Sequence, residues 1–118
     1  DDVLVVATPE PTSLTDAYAT IKVLATTQGR REVQLLVNQV RKPGEGRTVR
    51  AQLQQVLDRY VTPTLNASIR LDLLGEVPSD AAVREAVQRR QLLLDAMPGA
   101  LASQAMVAVA TRLLSDKP

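Results

Sequence analysis

The sequence contains no cysteine, no histidine, no phenylalanine and no tryptophan. Without cysteine, disulfides and thiolate zinc sites are excluded. Without histidine, the commonest general base and metal ligand is missing. Ser13, Ser68 and Ser79 therefore have no imidazole to activate them, and nucleophilic catalysis has no support. The only aromatic rings are Tyr18 and Tyr60, too few for a platform on which single-stranded nucleic acid stacks. A charge of one sign is lacking as well: 14 basic against 13 acidic residues leave a formal charge of +1. That balance gives no electrostatic argument for nucleic acid, and Arg41-Lys42 with Arg47 and Arg50 would make few phosphate contacts. The carboxylates are scattered and mark no acid/base pair. No run approaches the roughly 20 apolar residues of a membrane span, and no signal peptide is visible, so the expected location is cytoplasmic. No glycine-rich phosphate loop occurs anywhere in the chain.

What is present suits one small domain spanning residues 1–118. Hydrophobic residues make up 45% of the chain, enough for an aliphatic core. The chain opens on Asp1-Asp2, and an apolar run begins at Val3, which reads as a fragment of a longer polypeptide.

Val3-Leu4-Val5-Val6-Ala7 is a continuous apolar run of the kind found in strands buried on both faces. Pro9 and Pro11 stop it. Thr12 or Ser13 is the expected N-cap of a helix, with Asp16 in its first turn and an apolar face of Leu14, Ala17, Tyr18, Ile21, Leu24 and Ala25. Gly29 ends that helix. A second strand over Val33–Val37 leads into a Pro/Gly loop over 41–47, then a helix with Val49, Leu53, Val56, Leu57 and Tyr60 on one face, closed by Pro63. A third strand runs from about Ile69 to Val77. Ser79 or Asp80 caps a short helix carrying Val83, Ala86 and Val87, and Leu92-Leu93-Leu94 continues apolar until Pro98-Gly99 breaks the chain. A last helix over about 100–114 has an apolar face of Leu101, Ala102, Ala105, Met106, Val109, Ala110 and Leu113, with Ser103, Gln104, Thr111 and Arg112 on its polar side. Interfacial membrane helices are rich in Lys and Arg; with Arg112 alone, this one is expected to pack on the sheet. The order β-α-β-α-β-α-α predicts an α/β fold with part of a doubly wound parallel sheet and right-handed crossovers.

In open α/β sheets, ligands bind beyond the carboxyl ends of the strands. Leu36-Val37-Asn38-Gln39 and Gly75-Glu76-Val77-Pro78-Ser79-Asp80 stand at two such ends. The Asn38 amide has both donor and acceptor groups and can match the edge of a purine. A backbone held by Pro78 can present its amides and carbonyls to the same ring, and Asp80 can accept from an exocyclic amine. The plain reading stands beside this one: Asn38 is a turn residue and Asp80 an N-cap.

These two motifs, with Thr8-Pro9-Glu10-Pro11-Thr12-Ser13-Leu14-Thr15-Asp16-Ala17-Tyr18 after the first strand, resemble the C-terminal half of a MinD/ParA-type P-loop ATPase, and most closely the flagellar-number regulator branch (FlhG/FleN-like). The resemblance covers essentially the whole chain. It implies a P-loop NTPase-like fold without the P-loop and an adenine pocket formed by Asn38, Gln39, Val77, Pro78 and Asp80. It further implies ATP as cofactor, with Mg²⁺ bound by residues outside this chain. The intact protein would form a nucleotide-dependent homodimer, act on flagellar assembly proteins and bind no specific nucleic acid. It would be peripheral at the inner membrane only through a segment not present here. Asp1 and Asp2 are not the family's metal-organising aspartates; they are expected at the strand end opposite the nucleotide. Two other readings remain open: a stand-alone α/β interaction module without nucleotide, and a fragment of a ParA-type DNA-partitioning ATPase.

Overall fold

A computed structural model describes residues 3–115; the expectation for Asp1 and Asp2 lies outside them. Three strands, β1 (Leu4–Ala7), β2 (Glu32–Val40) and β3 (Arg70–Pro78), form one parallel sheet in the order β1-β2-β3. The helices are α1 (Pro11–Gln28), α2 (Glu45–Tyr60), α3 (Thr62–Leu65), α4 (Ala81–Gln88), α5 (Leu93–Ala96) and α6 (Leu101–Ser115). The expected alternation holds, with two single-turn helices, α3 and α5, added in the connections.

The main core lies between α1, α2 and one face of the sheet. Val5 and Ala7 of β1, Val33, Leu35 and Val37 of β2 and Leu71 of β3 meet Ala17, Ile21 and Ala25 of α1 and Val49, Leu53 and Leu57 of α2. Alternate strand residues point to opposite faces, so this every-second pattern commits one sheet face to these helices. A bulge at Leu74 shifts the register, because Leu35 pairs with Leu73 and Leu36 with Gly75. Gly75 therefore faces the other side, where α6 crosses; a Cβ there would lie 2.8 Å from Cγ2 of Val109. Leu74, Val77, Ala86 and Ala102 form the buried residues outside the main cluster. The two faces make the doubly wound arrangement.

The free edge of β3 is closed by side chains. Gln54 donates from Nε2 to the Ile69 carbonyl (2.8 Å) and accepts the Leu71 amide at Oε1 (3.0 Å). Arg50 donates to the Leu71 carbonyl (2.8 Å), and Arg112 to the carbonyl of the bulge residue Leu74 (3.0 Å). On the face opposite the main core, Leu4 and Val6 of β1 are 38% and 55% exposed, so β1 is not the strand buried on both faces that its apolar run predicts.

Several local expectations shift. The N-cap of α1 is Glu10, not Thr12 or Ser13, because Pro11 occupies the first helical position, for which its fixed φ and missing N–H suit it. Ser13 instead accepts the Thr8 amide at Oγ (2.8 Å), and Asp16 falls beyond the first turn. Gly29 does end α1, in the left-handed conformation at φ 70°. Helix α2 begins at Glu45, inside the expected loop, because Glu76 captures its first amides. It ends at Tyr60, before Pro63, which sits in the first turn of α3 where no N–H is needed. Val56, Tyr60, Val83 and Val87 face solvent rather than the core, as do Leu101 and Ala110 of α6. Ser103, expected on the polar side of α6, is fully buried and donates from Oγ to the Met97 carbonyl (2.6 Å). The partner carbonyl, invisible to helical periodicity, is what makes that burial tolerable. Among the described residues, no helix is long and apolar enough to cross a membrane.

Candidate functional site

Parallel pairing brings the carboxyl ends of all three strands to one edge. Val37 pairs with Glu76 and Val40 with Pro78, and the Ser79 amide donates to the Val40 carbonyl (2.8 Å). Asn38-Gln39, an irregularity within the end of β2 rather than a turn beyond it, and Val77-Pro78-Ser79-Asp80 at the end of β3 are thus adjacent, and Ala7 brings Thr8-Pro9-Glu10 to the same edge. A cavity of about 320 Å³ opens there, lined by Pro9, Glu10, Pro11, Gln39, Arg41, Glu45 and Ser79.

Gln39 lines the cavity. Its φ of 58° is left-handed, and the residue is exposed. The neighbouring Asn38 accepts the Gln39 amide at Oδ1 (2.8 Å), which fixes this irregularity and leaves the Asn38 NH₂ group as its remaining donor. Val77 is buried, and Pro78 closes β3 against Val40. Of the predicted set, Gln39 alone lines the cavity; Asn38, Val77, Pro78 and Asp80 build the two strand ends beside it.

Asp80 is the N-cap of α4, accepting the Ala82 amide at Oδ1 (2.9 Å), and its Oδ2 accepts the Ala102 amide of α6 (3.0 Å). The Ala102 bond first, and the Ala82 bond second, hold its carboxyl below the ordinary value of 3.8. The sign follows directly. With the folded value depressed, the carboxylate's support of both helices is present above that ordinary value and is lost as pH falls below it.

Sequence reasoning assigned no role to Glu76. Its two carboxylate oxygens accept the Gly44 (3.2 Å) and Gly46 (2.8 Å) amides and tie the end of β3 to the start of α2. Gly44 is left-handed at φ 88°, and a Cβ on Gly46 would stand 2.6 Å from Oε2 of Glu76. The Pro-Gly-Glu-Gly loop was the visible half of this signal; the carboxylate 30 residues away was not. The cavity lining offers one side-chain amide (Gln39), one hydroxyl (Ser79), the guanidinium of Arg41 and the carboxylates of Glu10 and Glu45. Among the described residues, no cluster of His, Cys, Asp or Glu could hold a metal ion.

No protein-family profile matches the chain. Two curated proteins are similar along nearly all of it. The antiactivator FleN of Pseudomonas aeruginosa is 39% identical over 112 residues, 95% of this chain and 38% of that protein. The flagellum site-determining protein YlxH of Helicobacter pylori is 33% identical over 115 residues, 98% of this chain and 37% of that protein. The chain thus spans little more than a third of the length of these relatives. Among solved structures, the MinD cell division protein of Aquifex aeolicus superposes on all of the chain, and on 45% of its own, with a TM-score of 0.66 at 23% identity. MinD in a MinC:MinD complex from the same organism gives 0.63, also at 23% identity. The chain is a homologue of the antiactivator FleN and the flagellum site-determining protein YlxH over that third of their length, built on a MinD-like fold.

Proposed function

We propose that this chain is the C-terminal segment of a MinD-like ATPase that regulates flagellar number or placement, and that it supplies the adenine-binding side of the ATP site. The observation that supports the reading is the meeting of Asn38-Gln39 and Val77–Asp80 at one sheet edge, beside a cavity in which Gln39 and Ser79 stand among Glu10, Arg41 and Glu45. The name of one relative, the flagellum site-determining protein YlxH, gives its flagellar direction. In this reading the NH₂ group of Asn38 and the side-chain amide of Gln39 meet the ring edge, Val77 and Pro78 hold the ring's surroundings, and Asp80 fixes the end of β3. Bound ATP supplies the phosphates that drive the cycle; those phosphates and Mg²⁺ are held by residues outside this chain. The intact protein works as a nucleotide-dependent homodimer in the cytoplasm, engages flagellar assembly proteins and reaches the inner membrane peripherally through another segment.

Asn38→Ala tests the reading. In the intact protein, ATP affinity should fall by about 1–3 kcal/mol, the cost of leaving a buried polar partner unpaired. Calorimetric titration measures it, and a thermal melt should show little loss of stability. A second reading, an interaction module without nucleotide, is favoured by the local bonds of Asn38 to Gln39 and of Asp80 to Ala82. It wins if Asn38→Ala lowers stability and leaves the nucleotide affinity of the folded protein unchanged.

A further inference from the structure

The carboxylate of Asp80 serves two helices at once. An N-cap needs one oxygen for its own helix. Here Oδ1 meets that need at Ala82, and Oδ2 accepts the Ala102 amide, 22 residues further on, at 3.0 Å. The second bond contributes nothing to starting α4. Its effect is to pin the first turn of α6 to the end of β3. Both bonds place an anion at helix N-termini, where unpaired amides and the helix dipole favour it.

What lies on either side of Asp80 gives the pin a consequence. One residue before it, Ser79 lines the strand-end cavity together with Gln39 and is bonded to the Val40 carbonyl. Beyond Ala102, the helix is held by side chains along its whole length: Ser103 on the Met97 carbonyl, Val109 against Gly75, Arg112 on the Leu74 carbonyl. Helix α6 is therefore seated as a unit. A ligand that resets the turn over 77–80 must carry the first turn of α6 with it or break the Ala102 bond.

We propose that Asp80 is a positioning residue that couples the strand-end cavity to the seating of α6. The latch stands on the two bonds; the identity of the ligand that acts through it rests on the ATP reading above. The coupling is reciprocal. By whatever factor a ligand favours the seated α6, the seated α6 favours that ligand.

Amide hydrogen exchange tests it, with Asp80→Ala and Asp80→Asn compared with the wild-type chain. In Asp80→Ala, the Ala82 and Ala102 amides should exchange about tenfold faster or more, as expected when a local hydrogen bond is lost. The Leu35 and Leu57 amides, in the core on the other face, should keep their rates. Asp80→Asn retains one carbonyl acceptor and should leave one of the two helix ends protected. Unchanged exchange at Ala102, or equal acceleration at Leu35 and Leu57, overturns the latch. In the intact polypeptide, Mg·ATP should alter exchange at Ala102 in the wild type and leave it unaltered in the Asp80 variants. Binding of Mg·ATP with no change at Ala102 in the wild type overturns the coupling. Failure of Mg·ATP to bind overturns the ATP reading instead, while the variants decide the latch.

Discussion

Two carboxylates organise the carboxyl edge of this sheet, and they do it in the same way. Glu76 takes two amides from the start of α2, and Asp80 takes one each from α4 and α6. Helix starts leave amides without intrahelical partners, and an ionised acceptor satisfies them strongly. Gly46, which supplies one of the amides to Glu76, is buried, so water is a poor substitute there. Glu76→Ala should accordingly destabilise the fold by about 0.5–2 kcal/mol, the range for losing a helix cap. A lower urea midpoint with an unchanged denaturant slope would be the signature. Of these two residues, Asp80 was legible in the sequence as a cap because its target lies two residues away. Glu76 was not, because its targets are distant in sequence and reach it only through β2–β3 pairing.

At the scale of elements, the sheet treats its two edges differently. Side chains of α2 and α6 pair with the outward backbone groups of β3, and Gln54 alone makes two of these bonds. Exposed edges invite association with other strands, and closing them with side chains prevents it. Gln54→Ala should cost about 1–3 kcal/mol through unpaired strand groups. The loss cannot be assigned to the helix, since alanine is the better helix former. Light scattering should also show more self-association than in the wild-type chain. Periodicity located α1, α2, α4 and α6, because an apolar stripe needs no knowledge of its partner. It misjudged which apolar residues on those helices are covered. Val87 and Leu101 fit the stripes of α4 and α6, yet each remains about 70% exposed. The reverse holds for Ser103, polar by type and buried by position.

For the whole molecule, the proposed reading gives this fold the base-binding end of a nucleotide site and none of the phosphate chemistry. The chain has no glycine-rich loop to cradle phosphates and no lysine in the strand-end cavity. Catalysis of phosphoryl transfer consists mainly of holding and neutralising those phosphates. The purified 118-residue chain should therefore release no phosphate from ATP above a buffer control, measured by a coupled phosphate assay. Turnover that persists through repeated purification would contradict the proposed division between a base-binding segment and a phosphate-binding remainder.

By itself, the sequence determined the α/β class, the three strands and the parallel sheet, since apolar runs alternating with amphipathic stretches permit little else, but not that β1 leaves Leu4 and Val6 exposed on one face. It also determined that the strand-end motifs belong together, because in a parallel sheet all such ends share one edge. Only the tertiary structure decided how that edge is built: the bulge at Leu74, the closed edge of β3, the reach of Glu76 to α2 and the double bond of Asp80 to α4 and α6. Apart from the Asp80 cap on Ala82, each of these joins groups far apart along the chain. Their energies depend on distances of about 3 Å that no local pattern of residues encodes.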